Sequence, residues 1–389
     1  MRLTTKKHGF SAIPLPVEAS ANQLVPGVWT LGLLFLAGTL LAALGYTATV
    51  YFVNPVRDFT GNAPFPAVRS DYRSEKIALF NAFASAGPIE GIVLGSSRSM
   101  LLNGARMRQL ADRKRFFNFA LASAKGEDFL AALRYTFSRG QRPTRVVIGV
   151  DVESLRDARA HGDSIHPLRE LAVGPSDLWT KTRTFTRRVF AWSYAQDTAQ
   201  SIYLRVTPRM AAVGFLPDGT LQYLRRERQR SEGTFQLETE MAGCIAGSRK
   251  KIEDTSELSA AQIRYLKQTI AEARAAGAVV TLWLTGPHPR AVEHMSAGTA
   301  YPHLVTETWG LLRELDSGAF NFHDPKSYGG PSYGYYDCNH FDNSHARIIE
   351  RVLIGGQNPV DSLDVQASSE PADGERRHYR LHDTAGGGR

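Results

Sequence analysis

Cysteine is almost missing from this chain: Cys244 and Cys338 are the two among 389 residues. So few exclude a disulfide framework and a cysteine-based zinc site. The pair either forms one disulfide, if the domain lies in an oxidising compartment, or stays as thiols. The narrow distance a disulfide demands makes a chance match uncommon. Internal repeats, zinc-finger spacings and RNA-binding signatures are also lacking, and no stripe interleaves aromatic with basic residues. The formal charge of +8 therefore has none of the patterning of a nucleic-acid binder. Groups such as Arg187-Arg188 and Arg225, Arg226, Arg228 and Arg230 read as a generally basic surface. With 43% hydrophobic and 22% charged residues, the composition is that of a folded globular protein.

One stretch lacks charge entirely. Val28–Val53 is a largely apolar run that no charge interrupts, with Trp29 near one end, Tyr51 near the other and Asn54-Pro55 closing it. A helix rising about 1.5 Å per residue crosses a hydrocarbon layer of roughly 30 Å within such a run. A cleaved signal peptide has a shorter apolar core, about 7–15 residues, so an uncleaved anchor is expected. Arg2, Lys6 and Lys7 precede it and Arg57, Arg69 and Arg73 follow, which leaves the positive-inside count even.

The organisation predicted is a tail over 1–27, the anchor over 28–53, a lead-in over 54–88, a domain over 89–355 and a disordered polar tail over 356–389. The lead-in carries a short helix near Ser74–Ala84. Strands are expected at Ile92–Leu94, Phe116–Phe119, Arg145–Val150, Val279–Leu284 and Ala319–Phe322. Helices are expected at Lys125–Arg139, from a cap at Ser256 to Gly277, at His303–Leu315 and at Ser344–Leu353. Alternating strands and helices predict an α/β domain with a mostly parallel sheet covered on both faces. Residues 152–255 break the alternation and read as an insertion able to wall a cleft. It has a helical Asp177–Val206 and a hairpin about Pro217-Asp218-Gly219.

Two short motifs carry chemistry. Gly95-Ser96-Ser97-Arg98 stands where the first strand ends, on the edge where α/β sheets bind ligands. By itself it is more often a polar turn than a presented nucleophile. Tyr336-Asp337-Cys338-Asn339-His340-Phe341 stands before the last helix. A serine hydroxyl needs a base to take its proton, histidine can do so near neutral pH, and a carboxylate fixes the imidazole's tautomer. Alone, Asp337 and His340 also fit a surface hydrogen bond, or a metal half-site with Asp342. That half-site lacks further ligands at a convincing spacing, and no metal or cofactor is expected. His288 follows a strand end, where it either contacts substrate or is satisfied by a local backbone group. His323-Asp324 has no following helix to present it.

Taken together, in this order and frame, the two motifs resemble the SGNH (GDSL-like) hydrolase superfamily over roughly residues 89–355, in particular its membrane-anchored Gly-Ser-Ser-Arg branch. The resemblance implies a flavodoxin-like three-layer domain, Ser97 as nucleophile, His340 as base and Asp337 as orienting acid. Thr285-Gly286-Pro287-His288-Pro289 is similar to that branch's Pro-His turn. It also implies a bacterial inner-membrane protein with its catalytic domain outside the cytoplasm, working with polysaccharide-modification partners. The activity implied is that of an esterase or O-acyltransferase on an acylated surface glycan, with a non-catalytic glycan-binding or scaffolding module as the alternative. Two blocks depart from the pattern. Ser123 stands where the family offers a glycine amide to the oxyanion, and Asp151 stands where it has an asparagine amide. An ionised carboxylate only accepts hydrogen bonds. Losing one oxyanion donor costs about 2.7–4 kcal/mol. Arg98 either compensates for Asp151, pairs with it, or holds the turn together with it. Cys338, beside Asp337, either ties that loop to Cys244 or is a free buried thiol.

Overall fold

The structure is a computed structural model that describes residues 26–59, 63–68, 72–157, 168, 170–207, 212–250 and 252–356. The expected tails fall outside these residues, apart from Pro26, Gly27 and Gly356. The chain divides into two compact units, one ending at Tyr51 and one beginning at Phe52. The apolar run forms helix α1 (Pro26–Val53). Within it, Trp29–Val53 is long and apolar enough to cross a membrane.

The second unit is α/β. Its strands in chain order are β1 (Gly91–Gly95), β2 (Phe116–Asn118), β3 (Arg145–Val150), β4 (Gly214–Phe215), β5 (Leu221–Gln222), β6 (Val279–Thr285) and β7 (Phe320–Phe322). Five of them form one sheet in the order β2-β1-β3-β6-β7, every neighbour parallel. The order reverses between β1 and β3, and such a switch point opens a crevice at the carboxyl edge. Gly95 pairs with Gly149 there, at the last rung of the β1–β3 ladder.

The helices after α1 are α2 (Arg73–Ser85), α3 (Gly104–Leu110), α4 (Gly126–Ser138), α5 (Glu170–Val173), α6 (Leu178–Val189), α7 (Trp192–Val206), α8 (Leu224–Ser231), α9 (Leu237–Lys250), α10 (Ala260–Ala275), α11 (Pro289–Ser296), α12 (Tyr301–Leu315) and α13 (Asn343–Gly355). Successive strand residues point to opposite faces. Ile92, Leu94, Val146, Ile148, Leu282 and Leu284 join a core with Phe80 of α2, Leu133 of α4, Ile270 of α10 and Leu304 of α12. Val93, Val147 and Trp283 join the opposite core, with Met107 of α3 and Ile349 and Val352 of α13. Both faces of the sheet are thus covered by helices.

The predicted strands all form, to within a residue or two at their ends. The predicted cap at Ser256 is corrected: the Ser259 amide donates to the Leu155 carbonyl at 2.7 Å, and α10 starts one residue later. Residues 152–255 leave the alternation as expected, and the helical stretch is two helices, α6 and α7. The β4–β5 hairpin turns at Gly219, whose φ of +82° is in the left-handed region. It is seated on the end of β2, since the Asn118 amide donates to the Asp218 carbonyl at 2.7 Å.

Candidate active site

The strand-end turn is built by close packing. A Cβ on Gly95 would come within 2.2 Å of Ser99 Oγ, and one on Gly149 within 2.1 Å of the same atom. Glycine at both positions therefore lets the chain after β1 fold back over the end of β3. The Ser99 amide closes the turn on the Ser96 carbonyl at 3.0 Å. Asn118 braces it, donating from Nδ2 to the carbonyls of Ser99 and Leu102 at 2.8 and 2.7 Å. Of the polar residues in the turn, Ser96 and Arg98 are buried and Ser97 is half-buried.

Ser97 and His340 meet across the crevice, Oγ to Nε2 at 2.9 Å. His340 Nδ1 lies 2.9 Å from Asp337 Oδ1 and 3.0 Å from Oδ2. The Asp337 carboxylate also accepts from the amides of Asn339 and His340 at 2.8 and 2.9 Å. Burial opposes its charge, but the His340 ring and Arg226 outweigh it and hold the carboxyl well below its ordinary range. An ionised Asp337 accepts the proton on Nδ1, which leaves Nε2 with a lone pair aimed at the Ser97 hydroxyl. The geometry is that of a serine whose proton has somewhere to go.

The insertion supplies the supports that sequence reasoning missed. Arg226 NH1 sits 2.8 Å from Asp337 Oδ2, and its NH2 sits 2.6 Å from Glu240. One turn later, Arg230 pairs with Asp342 and donates to the Tyr335 carbonyl at 2.7 Å. Residues four apart on a helix share a face, so α8 grips both ends of the His340 loop. Tyr223 lies beside the imidazole, ring centres 5.7 Å apart. Part of the basic run over 225–230 is therefore committed to internal ion pairs and is not simply basic surface. The i, i+4 spacing of Arg226 and Arg230 was the available signal, but nothing in the sequence named Asp337 and Asp342, more than 100 residues away, as partners. Cys244 of α9 and Cys338 form a disulfide, Cα atoms 5.9 Å apart, which fixes the loop between Asp337 and Asn339. The cysteine alternatives close on that pairing.

The other singled-out residues fall close by in different roles. Arg98 is bidentate to Glu153 at 3.1 and 3.0 Å, lies 3.4 Å from Asp151, and donates to the Asn339 carbonyl at 3.1 Å. Burial opposes its charge, but Glu153 and Asp151 push the guanidinium's pKa further up. Asp151 accepts from the Ser96 hydroxyl and from the Ser154 amide, so both of its oxygens are occupied. It thus divides the two serines: Ser96 goes to Asp151 and Ser97 to His340.

Ser123 is exposed, with a φ of 52° in the left-handed region. Its loop is tied to the strand end by the Leu121 amide donating to the Gly95 carbonyl at 3.0 Å. His288 caps α11, its Nδ1 accepting from the Arg290 amide at 3.1 Å, and its own amide donates to the Cys338 carbonyl at 3.0 Å. Burial and Arg290 depress its pKa. His323 pairs with the Tyr301 hydroxyl at 3.1 Å. Among the described residues no group of three or more His, Cys, Asp or Glu could hold a metal ion. No family model matches the chain, and no curated protein matches it.

Proposed function

We propose that this chain is a membrane-anchored serine esterase or O-acyltransferase acting on an acylated cell-surface polysaccharide or related glycan. In this reading it is an SGNH-like hydrolase with a flavodoxin-like, three-layer domain. Its α1 anchors it in the bacterial inner membrane, with the catalytic domain on the extracytoplasmic side. The observation that carries the reading is the hydrogen-bonded chain from Ser97 through His340 to Asp337. A disulfide beside that site fits an oxidising compartment.

In the reaction, Ser97 Oγ attacks an ester carbonyl while His340 Nε2 takes its proton. The alcohol leaves with that proton, and an acyl group stays on Ser97. Water or a sugar hydroxyl then attacks the acyl carbonyl as His340 takes its proton, and His340 passes that proton to Ser97 Oγ as the Oγ–acyl bond breaks, which makes hydrolysis and transfer two fates of one intermediate. Backbone amides of Ser97 and Ser123 are the oxyanion donors in this scheme. The left-handed backbone at Ser123 supports that assignment, because glycine is the usual occupant of such a conformation.

A second reading, a non-catalytic glycan-binding or scaffolding module, is favoured by Asp151, which offers no side-chain amide to an oxyanion. A fluorophosphonate probe and turnover of p-nitrophenyl acetate decide between the two. The enzyme reading expects the native chain to be labelled and Ser97→Ala to lose both label and turnover. Equal behaviour of the two proteins removes Ser97 from any chemistry and leaves the binding module.

A further inference from the structure

Helices α6 and α7 present several large apolar side chains to solvent. Tyr194, Thr198 and Ser201 are buried and share one side of α7. The opposite stripe presents Trp192, Tyr203 and Val206 to solvent, Trp192 at 77% and Val206 at 72% exposure. On α6, Trp179 is 74% exposed, with the exposed Arg183 and Arg187 following it at helical spacing and Phe190 at the helix end. Outside α1, the only large apolar side chains exposed elsewhere among the described residues are Val279 and Tyr333. So concentrated a patch marks an interaction surface.

The inner side of the same helices says what that surface meets. Arg188 pairs with Asp58 at 2.7 Å, the Tyr194 hydroxyl donates to Asp58 at 3.1 Å, and Ser201 Oγ donates to the Pro66 carbonyl at 2.6 Å. Asp58 follows the last residue of α1 by five residues, a chain length of at most about 18 Å. The helix pair is therefore fastened to the first segment after the apolar run. We propose that the outer face of α6 and α7 lies on an anionic lipid surface, its tryptophans and tyrosine at headgroup depth and Arg183 and Arg187 toward the lipid phosphates. Exposed aromatic and cationic groups on an interfacial helix are suited to that environment. The inference rests on the reading of α1 as a membrane anchor.

The test uses the full chain in vesicles of phosphatidylcholine and phosphatidylglycerol whose acyl chains are brominated near the headgroup. Bromine quenches tryptophan at short range, and Trp29→Phe removes the anchor's own tryptophan. Trp29→Phe should still lose emission on bromination, up to about half of the total if two of its four remaining tryptophans sit in the interface. Adding Trp179→Phe and Trp192→Phe should abolish most of that loss, with near-UV circular dichroism confirming the fold. Trp179→Phe/Trp192→Phe with Trp29 kept reads the anchor separately. Quenching of Trp29 without quenching of the other two overturns the lipid surface and leaves the anchor, as expected if the patch meets a protein or a second copy. No quenching of Trp29 overturns the anchor and this proposal with it.

Discussion

The two sides of the crevice are held in contrasting ways. The Ser97 turn is held by neighbours in its own layer: a paired glycine on the next strand, Asn118 at the end of β2, and a closing bond within the turn. The His340 loop has little regular structure of its own and is held from a distance, by a disulfide to α9 and by two arginines of α8. A site built this way keeps its nucleophile fixed by the sheet and leaves its base dependent on the insertion. Changes in α8 and α9 of the insertion should therefore act on proton transfer more than on the presentation of Ser97.

The largest expected effect comes from breaking the chain between the two sides. His340→Ala, or Asp337→Asn, should reduce ester turnover by roughly 10³–10⁴-fold, as loss of a base or of its correct tautomer does. Unchanged kcat/KM in a folded variant would show that the two sides do not cooperate. Next is the disulfide. Cys244→Ala/Cys338→Ala should cost about 2–4 kcal/mol of unfolding free energy, read in urea, because the bridge closes a loop between residues 94 apart. Its effect on turnover should be lost proton transfer, with Ser97 still labelled slowly by the probe.

Arg226→Gln removes the cation beside Asp337 and sharpens the contrast further. Asp337 contributes stability above the ordinary carboxylate pKa and loses it as pH falls through its depressed folded value. Without Arg226 that folded value rises, so acid unfolding and the acid limb of kcat should both move to higher pH. Turnover near neutral pH should fall on the order of tenfold, the equivalent of one pKa unit. A pH profile superimposable on the native one would make Arg226 merely structural.

The smallest effect on turnover belongs to the sheet side. Lys76 is wholly buried between the carbonyls of Asn118 and Gly219, and burial pushes its pKa down to about 7 despite Asp218. The unfolded chain then holds a proton that the folded one has released, from about 7 up to the ordinary lysine value. Stability should rise with pH across that window by at most about 1.4 kcal/mol per unit. Lys76→Met should flatten the slope while leaving the acid limb of kcat in place.

Legibility followed the same divide. The strands of the sheet and the Gly95–Arg98 turn were visible because apolar runs ending in glycine and serine are local signals. The sequence also singled out Asp337 and His340, three residues apart. It missed Arg226 and Arg230, because an exposed-face arginine and a clamping arginine look alike until a carboxylate is placed opposite. It left Ser96 and Ser97 to be separated by resemblance, and it left the cysteines open.

By itself the sequence determined an apolar helix, an alternating α/β frame and a turn of small polar residues at the end of its first strand, since each follows from periodicity and side-chain size within a few residues. Only the tertiary structure decided which serine faces the imidazole, which cations hold the carboxylate behind it, and that Cys244 reaches Cys338. Those outcomes depend on distances between remote segments. Such distances are set by how the sheet and the insertion pack, and no local pattern encodes them.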